Sequence, residues 1–384
     1  MIPTVIPCQR HLFDIPEDIA YFNCAYMSPL MHKVVAAGEE AVKRKARPWQ
    51  ITPPDFFSTP EQARALFARL INARADDIAI IPSCSYGTAT AALNLPVSKG
   101  QDLVVLQDQF PSNVYHWREL AAEREAQVVT IPRGGNDGWT PRILEAINAD
   151  TAVVALPHCH WTDGSLIDLE AVGRRCREVG AGLVLDLTQS IGALPFDAAA
   201  VQPDFAVAAG YKWMMGPYSC GMAYWSKRFL SGRPIEENWI NRRDSENFAR
   251  LVDYESEYQP GAIRFDVGEK SNFILLPMME EALKMILEWS PERIQTYTGA
   301  LLEPWIDPIQ RLGFHISSPS LRGNHLFGLR LPEKLDPVEV KNTLDEHNVF
   351  VSVRGNAIRV APHLYNTQAD MTAMVDALKR STRS

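Results

Sequence analysis

Residues 182–189 read Gly182-Leu183-Val184-Leu185-Asp186-Leu187-Thr188-Gln189, and residues 209–217 read Ala209-Gly210-Tyr211-Lys212-Trp213-Met214-Met215-Gly216-Pro217. The first is a nearly unbroken apolar run that closes on a carboxylate, the pattern of a strand covered on both faces. The second ends another such run, 205–209, and places an amine just past it, twenty-six residues after Asp186. Working outward, comparable runs recur at 78–81, 102–106, 127–131, 151–156 and 221–225, which predicts seven buried strands between about residues 77 and 226. The intervals carry helical periodicity; within 166–179, Leu169, Val172, Cys176 and Val179 share one face. Strands alternating with helices predict an α/β fold with a mostly parallel sheet. Sheets of this kind bind ligands beyond the carboxyl ends of their strands. Asp186, Lys212 and the segment Ser83-Cys84-Ser85-Tyr86-Gly87 are all expected at such ends.

From about Phe273 the pattern changes to two long helical stretches, strand candidates at 324–331, 349–353 and 357–361, and a closing helix at 368–379. The Gly355-Asn356 pair between two of those strands signals a hairpin. We therefore expect a large ligand-binding domain over 31–284 and a smaller α+β domain built from 1–30 and 285–384, joined through a helix near residue 285.

Composition narrows the function classes. An apolar fraction of 46% and a charged fraction of 22% are those of an ordinary soluble protein, and a net charge of -8 disfavours a nucleic-acid surface. No apolar run approaches the ~20 residues that span a bilayer, and Met1-Ile2-Pro3-Thr4-Val5-Ile6-Pro7-Cys8-Gln9-Arg10 lacks the long apolar core of a signal peptide, so a cytoplasmic location without membrane partners is expected. Six scattered cysteines without CxxC spacing read as free thiols, and no structural metal is expected. The first strand is not followed by GxGxxG, which disfavours a nicotinamide dehydrogenase.

A carboxylate and an amine at neighbouring strand ends suit pyridoxal 5'-phosphate. Lys212 would form a Schiff base with the cofactor aldehyde and, once displaced by an amino acid, carry a proton at Cα. Asp186 would keep the ring nitrogen protonated, because an opposite charge favours the charged form. A strand running into a segment of small, mostly hydroxylic residues around Cys84 and Ser85 offers helix-start N–H groups to a phosphate, although an ordinary serine N-cap reads the same way. Phe110, past the second strand, can stack on a pyridine ring or simply fill the core. His158 and His160 lack a third ligand for a metal, so His160 is read instead as a hydrogen-bonding catalytic residue near the cofactor oxygen. Gln189 can donate to the cofactor's phenolic oxygen. Arg359, inside the apolar run 357–361, matches a substrate carboxylate or an internal salt bridge, with Arg354 across the turn.

Together these positions resemble the class V aminotransferase group of fold type I pyridoxal phosphate enzymes, which includes cysteine desulfurases, kynureninase and isopenicillin N epimerase. The resemblance runs from Tyr21-Phe22-Asn23-Cys24-Ala25-Tyr26-Met27-Ser28-Pro29-Leu30 to Ile358-Arg359-Val360-Ala361-Pro362-His363-Leu364-Tyr365-Asn366. It implies a homodimer with shared active sites, an internal aldimine on Lys212, and Tyr211 as a phosphate ligand. Ala25 and Tyr26 join Arg359 and Arg354 as candidate substrate contacts, and His160, Tyr26, Trp49, Trp239 and Arg354 as candidates for the side-chain pocket. In Arg264-Phe265-Asp266-Val267-Gly268-Glu269-Lys270-Ser271-Asn272, Glu269 stands where the family usually has threonine, so that a contact to the partner's cofactor phosphate, if kept, would have to come from Ser271, Asn272 or the backbone.

Other details divide the relatives. Phe110-Pro111 followed by Tyr115 is similar to kynureninase, whereas Gln189 is similar to the desulfurases and His160 stands where kynureninase has asparagine. The segment Val353-Arg354-Gly355-Asn356-Ala357 has no cysteine, which disfavours direct desulfuration. The residues thus imply an enzyme that binds a free amino acid as an external aldimine and deprotonates Cα to a quinonoid. Elimination, C–S or C–C cleavage or cyclisation at the side chain is the first reading; an aminotransferase proper or an epimerase is the alternative. A nonenzymatic cofactor sensor fits the complete Asp186 and Lys212 pair less well.

Overall fold

The computed structural model describes residues 5–134 and 137–382, so the outermost positions of the expected smaller domain, 1–4 and 383–384, lie outside the described residues. Its strands are β1 (Ala20–Tyr21), β2 (Ile78–Ile81), β3 (Asp102–Leu106), β4 (Gln127–Ile131), β5 (Thr151–Pro157), β6 (Gly182–Asp186), β7 (Phe205–Ala209), β8 (Gly221–Trp225), β9 (His315–Ile316), β10 (Phe327–Arg330), β11 (Val349–Phe350), β12 (Ser352–Arg354) and β13 (Ala357–Val360). Seven of them form one sheet in the order β2-β8-β7-β6-β5-β3-β4. Every pairing from β4 through β7 is parallel, and β8 runs antiparallel to both β7 and β2. The sheet has the expected seven strands and is mostly parallel, but the edge strand β4, with a neighbour on one side alone, is buried only at Ile131; the single reversed strand follows from the short chain between Ala209 and Gly221.

The apolar runs are continuous because both faces are covered. Ile78, Ile80, Val104, Leu106, Leu183 and Leu185 pack into one apolar cluster, while the alternate residues Ala79, Ile81, Leu103, Val105 and Val184 pack into another. Helix Cys84–Asn94 presses closely on the sheet at Gly87, where a Cβ would stand 2.5 Å from Val207 Cγ1. A bulkier residue would lift the helix start away from the strand ends.

A second, antiparallel sheet has the order β12-β13-β10-β9 and its own apolar cluster, which includes Ile316, Phe327, Leu329, Ile358 and Val360. The β12–β13 hairpin closes through Gly355 and Asn356, with Arg354 opposite Ala357 and Gly355 at φ +59. Near the chain start, β1 pairs in parallel with β11 and so joins the first residues to the last third of the chain. Helix Leu275–Trp289 runs unbroken through residue 285. No helix among the described residues is long and apolar enough to cross a membrane, and all six cysteines are free.

One buried ionic cluster ties these parts together. Arg64, fully buried on helix Asp55–Leu70, pairs with Asp266 at 2.8 Å and donates to the Ile78 carbonyl; Asp266 also pairs with Lys270 at 2.9 Å and accepts from Ile80 N–H at 2.7 Å. Burial opposes the charged carboxylate of Asp266, but Arg64 and Lys270 outweigh it and hold its carboxyl below the usual range. A depressed folded-state pKa means that this stabilisation is present at neutral pH and is lost as pH falls through that pKa. Removing one partner leaves an uncompensated buried charge. Asp266→Asn is therefore expected to destabilise the fold by about 3 to 5 kcal/mol, read as a lower midpoint in urea unfolding at pH 7.

Candidate active site

The carboxyl ends of β2, β3, β5, β6 and β7 converge on a cavity of about 250 Å³ lined by, among others, Ser85, Phe110, Trp161, Asp186, Gln189 and Lys212. Lys212 reaches it because the chain turns sharply after β7. Gly210 N–H donates to Cys220 O at 2.8 Å, and a Cβ on Gly210 would stand 2.3 Å from that same oxygen. The next three residues, Trp213, Met214 and Met215, are fully buried and anchor the turn. Lys212 itself is only 6% exposed, with Nζ 5.4 Å from the ring centroids of both Phe110 and Tyr211.

Burial pulls the Lys212 amine down to about 8, the Asp186 carboxylate opposes that shift, and the Arg359 cation adds to it. Asp186 Oδ1 accepts from Thr188 N–H at 3.0 Å, which fixes the carboxylate at the end of β6. The Thr188 hydroxyl meets Cys84 Sγ at 2.9 Å and accepts from Ala209 N–H at 3.2 Å, so one side chain links the ends of β6 and β7 to the start of helix Cys84–Asn94. Gln189 donates to Ala25 O at 3.1 Å and accepts from Trp213 Nε1 at 3.0 Å, which holds its amide at the cavity wall.

The helix start is capped by Ser83, whose Oγ accepts from Tyr86 N–H at 3.2 Å and lies 2.9 Å from Ser85 Oγ. The N–H groups of Cys84 and Ser85 have no acceptor among the described residues. Free N–H groups at the positive end of a helix form an anion site. Tyr211 packs against Tyr218 with ring centroids 4.5 Å apart, and its hydroxyl is raised to about 12 by burial.

Arg359 stands behind Trp161. It is 1% exposed, its Nη1 donates to Trp161 O at 3.0 Å, and its Nε and Nη2 are buried with no hydrogen-bond partner. Burial, followed by the nearby Arg354 cation, pulls the guanidinium down to about 9. Donors of this kind normally have acceptors, and a guanidinium with two open N–H groups matches one carboxylate.

Other expected residues lie elsewhere. His160 is fully buried, but Nδ1 meets Thr162 Oγ1 at 2.8 Å, Nε2 meets Gln107 O at 3.2 Å, and the ring stacks on Trp139 at 5.2 Å. Burial pulls it down to about 4, and it does not line the cavity. The physical reason is that β5 stops at Pro157, so strand alternation no longer aims residue 160; the neighbouring Trp161 reaches the cavity instead. Trp161 and Thr188 are cavity residues that sequence reasoning missed; the available signal was a strand end, four residues before Trp161 and two before Thr188.

Tyr26 is 58% exposed and Trp49 is 77% exposed, and neither lines the cavity. Trp239 packs with Phe56 and Phe248. Ser271, whose hydroxyl donates to Phe56 O, and Asn272 line a separate cavity with Trp239. Among the described residues no three His, Cys, Asp or Glu side chains converge to hold a metal.

A poorly solvated amine, a fixed carboxylate, an aromatic face and open helix-start N–H groups share one cavity, and this donor set fits pyridoxal phosphate. The sequence profile of the family described as "Aminotransferase class-V" matches residues 50–375. The chain is 32% identical over 344 residues to a probable cysteine desulfurase of Methanothermobacter thermautotrophicus, covering 83% of this chain and 82% of that protein. It is 29% identical over 272 residues to a kynureninase of Deinococcus radiodurans, covering 68% and 64%. The apo cysteine desulfurase of Thermococcus onnurineus NA1 superposes with a TM-score of 0.84 at 18% identity, covering 98% and 99%, and so shares the fold. A lysine and an aspartate at adjacent strand ends, within a profile match over most of the chain, have one consequence: the chain belongs to the class-V aminotransferase family, with the fold type I architecture, and is a pyridoxal phosphate enzyme, a lyase or a transferase.

Proposed function

We propose that this enzyme binds a free amino acid, removes the proton from its Cα and then cleaves or rearranges its side chain. The observation that carries this reading is a pair of desolvated cations on either side of Trp161: Lys212, which lines the cavity with its amine at about 8, and Arg359, which bonds to the Trp161 carbonyl, keeps two open donors and is near enough to lower that amine. When bound, pyridoxal phosphate supplies an electron sink for the pair left at Cα.

The chain's own residues would divide the remaining work. Helix-start N–H groups of Cys84 and Ser85, with Tyr211, would hold the phosphate, and Phe110 would face the ring. Asp186 would hold a proton at the ring nitrogen. Gln189 has a second amide N–H for the phenolic oxygen. Arg359 would grip the substrate carboxylate and so turn Cα toward Lys212. Lys212, partly neutral near pH 8, would take the Cα proton and return it where the chemistry requires.

The names of the relatives, kynureninase and cysteine desulfurase, support side-chain chemistry over simple amino transfer. Against desulfuration itself stands the tight β12–β13 hairpin, whose turn is Gly355-Asn356 and carries no cysteine. We also infer a large domain over 31–284, a smaller one from 1–30 and 285–384, and a cytoplasmic homodimer. The separate location of Ser271 and Asn272 from the Lys212 cavity supports a role for them across that dimer.

Lys212→Ala should lose both the visible absorbance of the bound cofactor and turnover; borohydride labelling of the wild type should map to residue 212, and an undiminished rate in the variant would refute the assignment. Arg359→Ala should weaken amino-acid binding by ~2 to 5 kcal/mol, measured by absorbance titration of the loaded enzyme. Because the folded-state pKa of Lys212 lies below its ordinary value, the neutral amine predominates above about pH 8. Cofactor uptake by the apo-protein should accordingly rise through pH 8 and level off by pH 9 to 10 in stopped-flow absorbance, whereas a rate still climbing to pH 10.5 would mean an ordinary solvated lysine.

A further inference from the structure

Behind Trp161 lies a second cavity, of about 490 Å³, whose charged lining is Asp108, Arg133, Asp163, His315, Arg330 and Arg354. Arg133 is already paired with Asp163 and also donates to Thr162 Oγ1 at 2.9 Å, so those two charges largely cancel. Arg354 is different. Its Nη1 donates to Val353 O at 2.6 Å, its Nε is buried with no partner, and its guanidinium carbon sits 5.1 Å over the Trp161 ring. Among the described residues no carboxylate forms an ion pair with Arg354, Arg359 or Arg330.

The hairpin register puts Arg354 and Arg359 together. Arg354 opposes Ala357, and Arg359 is two residues further along β13, so the two arginines project from the same face as diagonal neighbours. Two guanidinium groups on one face repel each other, and an anion between or beside them relieves that repulsion. One carboxylate satisfies Arg359 alone. Trp161 is the partition: its carbonyl accepts from Arg359, its ring carries Arg354, and its edge meets Phe110 with centroids 5.5 Å apart at 79°. A side chain leaving Cα past Trp161 would therefore reach Arg354 and the second cavity.

We propose that Arg354 is a specificity residue that recognises an anionic group, a carboxylate or an oxidised sulfur acid, on the side chain of the substrate. The substrate class is then an amino acid with two acidic groups, one held by Arg359 and the other by Arg354. This inference rests on the amino-acid reading of the Lys212 cavity and deepens it.

The test uses the cofactor-loaded enzyme and unreactive acids. Binding of malonate, succinate and glutarate is measured by calorimetry against that of butyrate, and L-glutamate and L-cysteine sulfinate are compared with L-glutamine by change in the cofactor's absorbance. A charge-assisted contact predicts that at least one diacid binds roughly 10- to 100-fold more tightly than butyrate. That ratio should fall to about one in Arg354→Gln and persist largely in Arg354→Lys, which keeps the charge and controls for folding. Equal affinity for diacids and butyrate in the wild type, or an unchanged ratio in Arg354→Gln, would overturn the proposal. If no acid binds and no amino acid alters the absorbance, the amino-acid reading itself is lost, a result distinct from the loss of selectivity alone.

Discussion

Everything at this site depends on keeping one amine out of water beside one carboxylate. Desolvation alone favours a neutral lysine, and the Asp186 charge limits how far that goes, so the Lys212 amine comes to rest at about 8 rather than at its solvent value. Such a balance requires a sheet covered on both faces, because an open face would let water screen the pair. The alternation of β2, β3 and β6 residues between two apolar clusters is thus a condition of the chemistry as much as of folding.

Three separate parts of the chain seal that environment. The start of the chain closes over the lysine turn, with Ser28 N–H donating to Tyr211 O at 3.0 Å and Ala25 O accepting from Gln189. The second sheet approaches through Arg359 and its bond to Trp161. The Arg64, Asp266 and Lys270 cluster clamps the outer strand β2 and the segment that leads to Ser271. Since each seal comes from a different region of sequence, the cavity forms only when the whole chain has folded.

Much of this was legible in the linear sequence. Six of the seven strands announce themselves as apolar runs because burial on both faces removes the polar alternation that hides other strands; β4, at the sheet edge, is buried only at Ile131. Asp186 closes such a run, Gln189 and Lys212 lie three residues past one and Phe110 four, and all four line the cavity. Distance from a strand end did not by itself decide which side chain reaches the cavity, since His160 lies three residues past β5 just as Gln189 lies three past β6. His160 looked chemically apt, yet the backbone bends after Pro157, its ring nitrogens are satisfied by Thr162 and Gln107, and Trp161 takes the place at the cavity. Trp49 and Trp239 were aromatic and plausible, but nothing in their local pattern says which surface they would share.

What the sequence by itself determined is the sheet and the residue types at its carboxyl ends, since hydrophobic patterning is local and periodic. The tertiary structure alone decided which side chains meet across long separations. Thr188 joins Cys84, Arg359 joins Trp161, and Arg354 lands over that same ring, because strand order and a tight hairpin bring together residues that no periodicity connects. It also decided which donors are left open, because satisfaction of a buried hydrogen bond depends on the groups around it in space and has no signature along the chain.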